Sequence, residues 1–217
     1  MDAKKIIARR AAKELQDGYV VNLGIGLPTL IPNYLPAGIK ITLQSENGFL
    51  GLGPLEGDPV PGLVNAGGQP CGIVPGGVFF DSAMSFALIR GGHVDATVLG
   101  ALQVDAHGNL ANWMVPGKMV PGMGGAMDLV TGAQHVIVAM EHCTKDGSAK
   151  ILSECTLPLT CKGKVSLIVT EMAVFRINNG LVLEELQPGV TVDDVRRCTE
   201  ADFTISPSLL QAKSLDS

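Results

Sequence analysis

The apolar residues of this 217-residue chain come in short runs, and glycine stands at their ends. The longest runs, "HVIVAM" at 135–140 and "VSLIVTEMAVF" at 165–175, are of strand length and bounded by charge. None approaches the ~18 apolar residues that a membrane helix needs. Strands this short cannot make a core by themselves; they need a sheet and helices to cover it. The 27 glycines therefore read as loop punctuation rather than low complexity.

Helical patterns lie between the strand runs. Ile6, Ile7, Ala11, Ala12 and Leu15 recur near helical period over residues 3–16, and Gly18 is the stop. "YVVNLG" is then a short apolar strand, and "GIGLPTLIPNYL" a glycine loop opening into a short helix. Pro28 suits that first turn, where its missing N–H would have no partner anyway. "IKITLQSE" is the next strand. "DSAMSFALIRGG" reads as a helix capped by Asp81 or Ser82 and ended by Gly91 and Gly92. "VDATVLGALQVD" reads as one strand run, "AHGN" as a turn and "QHVIVAMEH" as a buried strand. "SLIVTEMAVFRI", "NNG" and "LVLEEL" follow as strand, turn and strand, then a helix capped by Thr191 and a last strand, "DFTIS". The alternation predicts a single α/β domain over residues 1–217. Its sheet is open, mixed and mostly parallel, with helices on both faces.

Composition narrows the function. Apolar residues make up 46% and charged residues 17% of the chain, and the mean hydropathy is +0.30. That is more apolar surface than one core requires, which suggests burial against a separate protein chain. A net charge of −5 offers no basic face to nucleic acid. Lys4, Lys5, Arg9 and Arg10 cluster near the start, but Asp2 and Glu14 beside them fit an amphipathic helix better than a transit peptide. No signal peptide is visible. The five cysteines form no C-x-x-C and no zinc spacing, so they read as reduced thiols of a cytoplasmic protein.

Three glycine-dense loops are candidates for ligand contact. In "NLGIGLP", Gly24 and Gly26 fit the first two positions of a dinucleotide fingerprint, but the third falls on Thr29. Such a loop before a helix either exposes N–H groups to an oxyanion or simply needs small residues to turn; spacing leaves both readings open. "GKMVPGMGGAMDL", with Gly122, Gly124 and Gly125, and "NAGGQP" are the others. The four histidines lie in turns or at strand ends without metal spacing, and Trp113 reads as a packing anchor.

Residues 41–51, "ITLQSENGFLG", pose the sharpest question. Asn47-Gly48 is a hairpin signal, which would leave Glu46 solvated beside the turn. The same pair at 179–180 has strand patterns on both sides. After Gly48 the chain runs "FLGLGPLEGDPVPG", a Gly/Pro-rich stretch expected not to return as a regular strand. The expectation is thus a strand ending at Glu46 and entering an irregular loop.

The string "LQSENGFLG" resembles the active-site signature of the B (or β) subunits of family I coenzyme A transferases. "NLGIGLPT", "NAGG", "FFDSAMSFALIRGGHVDATVLGALQVD", "LANWMVPGKMVPGMGGAMDLV", "KILSECTLPLT" and "VTEMAVF" are similar to 3-oxoacid members in the same order, with no departure at a motif position. The resemblance implies a fold shared with sugar-phosphate isomerases. It also implies CoA transfer between carboxylic acids in ketone-body or fatty-acid metabolism, with Glu46 as nucleophile and Asn47 orienting it or polarising a carbonyl. Gly24, Ile25, Gly26, Gly124 and Gly125 would supply CoA or oxyanion contacts. It implies no metal or redox cofactor, with CoA as substrate. The partner would be an A subunit in an α2β2 assembly, without nucleic acid or membrane. An acyl-CoA hydrolase or a non-catalytic ligand-sensing domain on the same scaffold are the alternatives.

Overall fold

A computed structural model describes residues 2–117 and 123–215, with side chains described through Gln211. Ten strands form the main sheet: β1 (Val20–Leu23), β2 (Thr42–Ser45), β3 (Phe49–Gly53), β4 (Gly72–Phe79), β5 (Ala96–Leu99), β8 (His135–Ala139), β10 (Leu167–Val169), β11 (Ala173–Ile177), β12 (Leu181–Leu186) and β13 (Phe203–Ile205). A small second sheet holds β6 (Gln103–Asp105), β7 (Leu110–Ala111) and β9 (Ile151–Leu152). The large sheet runs β13-β12-β11-β10-β8-β5-β1-β2-β3-β4. Its middle five strands, β10 to β2, are all parallel, and antiparallel strands extend it on both sides. The expected open, mixed α/β sheet is what forms.

Period-two alternation in the central strands builds a core on each face. Val21, Val98, Ile137 and Val169 point to one side, where helix α1 (Ala3–Ala11) lays down Ile7, Ala8 and Ala11. Leu99, Val136, Val138 and Ile168 point to the other, beneath the small sheet and α4 (Val192–Cys198). Helices α2 (Ser82–Arg90) and α3 (Ala126–Gly132) bury Ile89 and Leu129 together, with Val20 of β1 against them. A last helix, α5 (Pro207–Leu215), was not expected. No helix among the described residues is long and apolar enough to cross a membrane.

Local chemistry sets the helix starts. Asp2 caps α1, its carboxylate accepting the Lys4 N–H at 3.0 Å, and the helix tightens into a 3₁₀ turn at Ala12–Glu14. Asp81, not Ser82, caps α2, accepting the Met84 N–H at 2.8 Å. Thr191 and Asp194 form a reciprocal capping box on α4. Arg10 leaves α1 to pair with Glu14 at 2.7 Å and with Glu185 of β12 at 2.6 Å.

Three expectations need correction. "VDATVLGALQVD" is not one strand: it breaks after Leu99, and β6 joins the small sheet, where Val104 pairs with Leu110 and Ile151. "SLIVTEMAVFRI" is two strands, β10 and β11. The Thr170 hydroxyl accepts the N–H groups of Met172 and Ala173 at 3.2 and 3.0 Å and so turns the chain inside an apolar run. Finally, residues 49–53 do return as a strand. Phe49 pairs with Ser45 and Leu50 with Gln44, so the Asn-Gly hairpin signal was the correct one. The glycines that suggested irregularity instead fit a bulged, close-packed edge. A Cβ at Gly51 would stand 2.9 Å from the Gly77 Cα of β4, and Gly51 has φ +90°. The regular strand gives way only at Pro54.

Candidate active site

The three-residue loop Glu46-Asn47-Gly48 joins β2 to β3, closed by the Gly48 N–H on the Ser45 carbonyl at 3.0 Å. Gly48 is buried, at φ +129°, and a Cβ there would lie 2.4 Å from the Phe80 carbonyl oxygen. Only glycine fits such a position. The Phe80 N–H closes the contact by donating to the Gly48 carbonyl at 2.9 Å, tying the turn to the chain entering α2.

Asn47 fastens the other side. Its Oδ1 accepts the Ser45 hydroxyl at 2.5 Å and its Nδ2 donates to the Val64 carbonyl at 2.8 Å. Both ends of its amide are thereby committed, its side chain is exposed, and it makes no hydrogen bond to Glu46. The expected orienting role for Asn47 is not what its position provides; it anchors the turn to the loop before "NAGG".

Orientation of Glu46 falls to Asn22, on β1. Its Nδ2 donates to Glu46 Oε2 at 2.9 Å from a site only 1% exposed. Sequence reasoning missed this residue, reading "YVVNLG" as simply apolar. The signal was there in the form of one amide inside a run of buried aliphatics, where a polar group needs a partner.

The glycine loops divide. A Cβ at Gly125 would stand 3.2 Å from Glu46 Cγ and 3.5 Å from the Phe86 ring, so the absent side chain lets α3 begin directly against the carboxylate. Gly124, at φ +54°, lies beside it on the cleft wall. Gly122 lies outside the described residues. Gly24 also lines the cleft, but its N–H donates to the Val98 carbonyl at 2.8 Å. Already bonded into the sheet, it is no donor for an oxyanion; its smallness lets β1 approach Leu99, 3.1 Å from where a Cβ would be. Ile25 lines the cleft with its side chain 73% exposed. Gly26 does not reach the lining; it turns at φ +87° and offers its carbonyl to the Thr29 hydroxyl at 2.7 Å, starting the 3₁₀ helix Leu27–Tyr34.

These parts surround a cleft of about 970 Å³ between the C-terminal ends of β1, β2 and β5 and the start of α3. Leu43, Leu99, Leu102 and Trp113 give it apolar walls, and Asn65 shapes one rim by accepting the N–H groups of Gly67 and Gln69 at 2.9 and 3.0 Å. Strand ends in an open parallel sheet are where this architecture binds ligands. Trp113 is thus a wall of the cleft as well as the anchor expected of it, its indole N–H donating to Leu159.

The histidines stand apart from the cleft lining. His142 is fully buried between the hydroxyls of Thr170 and Thr199, at 3.0 and 2.9 Å, and burial draws it down to about 4, with the Lys150 charge assisting. It is a neutral element of the core.

An open α/β sheet that presents an oriented carboxylate in a ligand-sized cleft at its strand ends has the form of an enzyme active site. The family model "Coenzyme A transferase" matches residues 4–197. The beta chain of the acetate CoA-transferase of Escherichia coli (strain K12) is 67% identical over 96% of this chain and 97% of its own length. The corresponding B-type chain of the probable succinyl-CoA:3-ketoacid coenzyme A transferase of Bacillus subtilis (strain 168) is 52% identical over 97% and 99%. Among solved structures, an acyl-CoA transferase apoenzyme from Escherichia coli O157:H7 superimposes with a TM-score of 0.77 at 25% identity, covering 95% of this chain and 42% of that one. The chain belongs to the coenzyme A transferase family, and its activity is the transfer of CoA.

Proposed function

We propose that this chain is the nucleophile-bearing β subunit of a 3-oxoacid CoA-transferase. It moves CoA between an acyl-CoA and a short carboxylic acid such as acetate or acetoacetate. The observation that carries the reading is Glu46, whose carboxylate is held by Asn22 at 2.9 Å inside the cleft while the turn beneath it is fixed on both sides.

The chemistry suits a carboxylate. Glu46 attacks the thioester carbonyl, the C–S bond breaks, and CoA leaves as thiolate while an acyl-glutamyl anhydride forms. The thiolate attacks the glutamyl carbonyl, releasing the first acid and leaving CoA as a thioester on Glu46. An incoming carboxylate attacks that thioester, CoA thiolate departs, and its return to the new acyl group regenerates Glu46. No step gains or loses a net proton. Each passes through a tetrahedral oxyanion, for which the backbone amides around Ile25 and Gly124–Gly125 are the candidates on the cleft wall.

Both intermediates hydrolyse in water, so the cleft must be covered. Ile25, Leu55, Val74 and Leu102 line it with exposed apolar side chains, and Val78 and Phe79 continue that surface along the edge strand β4. Exposed apolar surface around a site and along a sheet edge calls for a protein partner. A cognate α subunit completing an α2β2 assembly meets that need.

The test is to incubate the co-purified complex with acyl-CoA alone and measure its intact mass and peptides. CoA covalently attached at Glu46 is the expected result, reducible by borohydride to an alcohol. Acid-independent release of CoA at the full turnover rate would instead identify a hydrolase.

A further inference from the structure

Beneath Glu46 runs a row of polar side chains that catalysis by Glu46 and Asn22 alone does not require. In the parallel pairings, Asn22 of β1 stands opposite Gln44 of β2 on one side and Thr97 of β5 on the other. All three are at most 2% exposed, in strands whose other buried residues are chiefly aliphatic. Gln44 Oε1 accepts from Asn22 Nδ2 at 2.7 Å, and Gln44 Nε2 donates to the Ser85 hydroxyl of α2 at 3.1 Å. Ser85 is itself fully buried. Among the described residues, Asn22 Oδ1 and Thr97 Oγ1 are buried side-chain atoms without a hydrogen-bond partner, so the row is kept despite an incomplete network.

Donor counting shows what the row does. The Asn22 amide nitrogen has two hydrogens for three acceptors: Gln44 Oε1 at 2.7 Å, Glu46 Oε2 at 2.9 Å and, more distant, the Gln44 carbonyl at 3.3 Å. Flipping the Asn22 amide would set its oxygen against Gln44 Oε1, the Gln44 carbonyl and the Glu46 carboxylate, three repulsive contacts. Gln44 could relieve one of these by turning its own amide, because the Ser85 hydroxyl can donate as well as accept; what Ser85 holds is the place of the Gln44 side chain. The order Ser85, Gln44, Asn22, Glu46 therefore spans α2, β2 and β1 and returns to the turn.

We infer that Gln44 and Ser85 are positioning residues for the transfer reaction: acting through Asn22, they hold its amide in place and so set where the Glu46 carboxylate sits. The inference rests on Glu46 being the nucleophile. Ser85 lies outside the cleft lining, and Gln44 reaches that lining with only 2% of its surface exposed, so their loss acts on the rate of covalent attack more than on substrate binding.

The test uses the complex with its α partner and the single variants Gln44→Met, Ser85→Ala and Ser85→Thr. Gln44→Met keeps the volume and removes the acceptor. It should lower kcat by ~10–100-fold, the usual effect of removing a residue that orients a functional group, with KM for acyl-CoA within about twofold. The rate of CoA attachment to Glu46 should fall by the same factor. Ser85→Ala should give a smaller loss, about 3–10-fold. It should add little in the Gln44→Met background, because the two act along one chain of contacts. Ser85→Thr, which keeps the hydroxyl, should recover most of the rate. If Gln44→Met and Ser85→Ala attach CoA at the wild-type rate, or if their losses multiply independently, the inference is overturned. A wild-type complex that forms no adduct at Glu46 would remove the nucleophile reading and this inference together. Should Gln44→Met fail to assemble, Ser85→Ala against Ser85→Thr decides the question alone.

Discussion

The chain makes two hairpins of the same length with the same Asn-Gly pair. Ser45-Glu46-Asn47-Gly48-Phe49 and Ile177-Asn178-Asn179-Gly180-Leu181 are both three-residue loops between antiparallel strands, with Asn-Gly in the same place. In the second, Asn178 and Asn179 are exposed, Asn179 takes φ +51°, and a Cβ on Gly180 would meet nothing within 4 Å. In the first, Gly48 is buried against Phe80, Asn47 is bonded to Val64, and Glu46 turns into the cleft. Local code makes a hairpin in both. What makes one of them a site is the third layer of chain, 64 and 80, pressed onto it.

The comparison can be broken in several places. Glu46→Gln should reduce transfer by at least ~10³-fold with assembly unchanged, whereas Asn178→Ala, at the matching position, should leave turnover within twofold. Steady-state rates and size-exclusion profiles of the two complexes check this. Gly48→Ala combines an unfavourable φ with a backbone clash that has no flexible neighbour to yield. A loss of more than ~3 kcal/mol in denaturant unfolding is expected, or no folded complex at all. Gly180→Ala bears only the conformational cost, about 1–3 kcal/mol, and should keep its activity. Equal losses from the two would mean that the third layer contributes nothing.

Acid should separate the two hairpins as well. His142 packs, tilted, against Phe175 of β11, the first strand of the second hairpin, with ring centroids 6.1 Å apart. Its folded value, about 4, lies below its ordinary 6.5 because burial disfavours the charged ring. The unfolded chain therefore takes up the proton first as pH falls. The stabilisation is complete above about pH 6.5 and is lost between there and about pH 4, amounting to as much as ~3 kcal/mol. Thermal melts from pH 7.5 to 4.5 should slope downward, and His142→Gln should flatten that slope. Asn47→Ala gives a far smaller effect than Glu46→Gln. Two hydrogen bonds go, at a cost of ~1–2 kcal/mol, but Asn22 still holds the carboxylate, so kcat should fall less than tenfold. A loss comparable with that of Glu46→Gln would restore Asn47 to a direct catalytic role.

Much of this was legible in the residues. The cap at Asp81 or Ser82, Thr191, the Gly91-Gly92 stop and the alternation of short strands with helices all read correctly, because each depends on neighbours within a turn or two. The failures share a cause. Gly51 and Gly53 looked like loop, yet they are glycines because β4 presses against them. Thr170 looked like one more β-branched strand residue, yet its hydroxyl folds the chain back. Asn22 stood out only as an amide in an aliphatic run, because its partners, Gln44 and Glu46, come from the next strand and the turn after it. Which residues face one another across parallel strands is set by register, and no local pattern specifies that. Glu46 itself was read from family likeness, against the local rule that would have left it in solvent.

Arg10 ties the first helix to Glu185, 175 residues later, and the apolar face of that helix rests on β8 and β10. During synthesis this has a temporal meaning. At ~5–20 residues per second, α1 waits on the order of ten seconds for the strands that bury Ile7, Ala8 and Ala11, and its arginine waits longer for its carboxylate. A segment made early is thus among the last to find its partners. Until those strands emerge, only β1 and the 3₁₀ segment Leu27–Tyr34, made soon after it, can cover the apolar stripe of this otherwise basic helix.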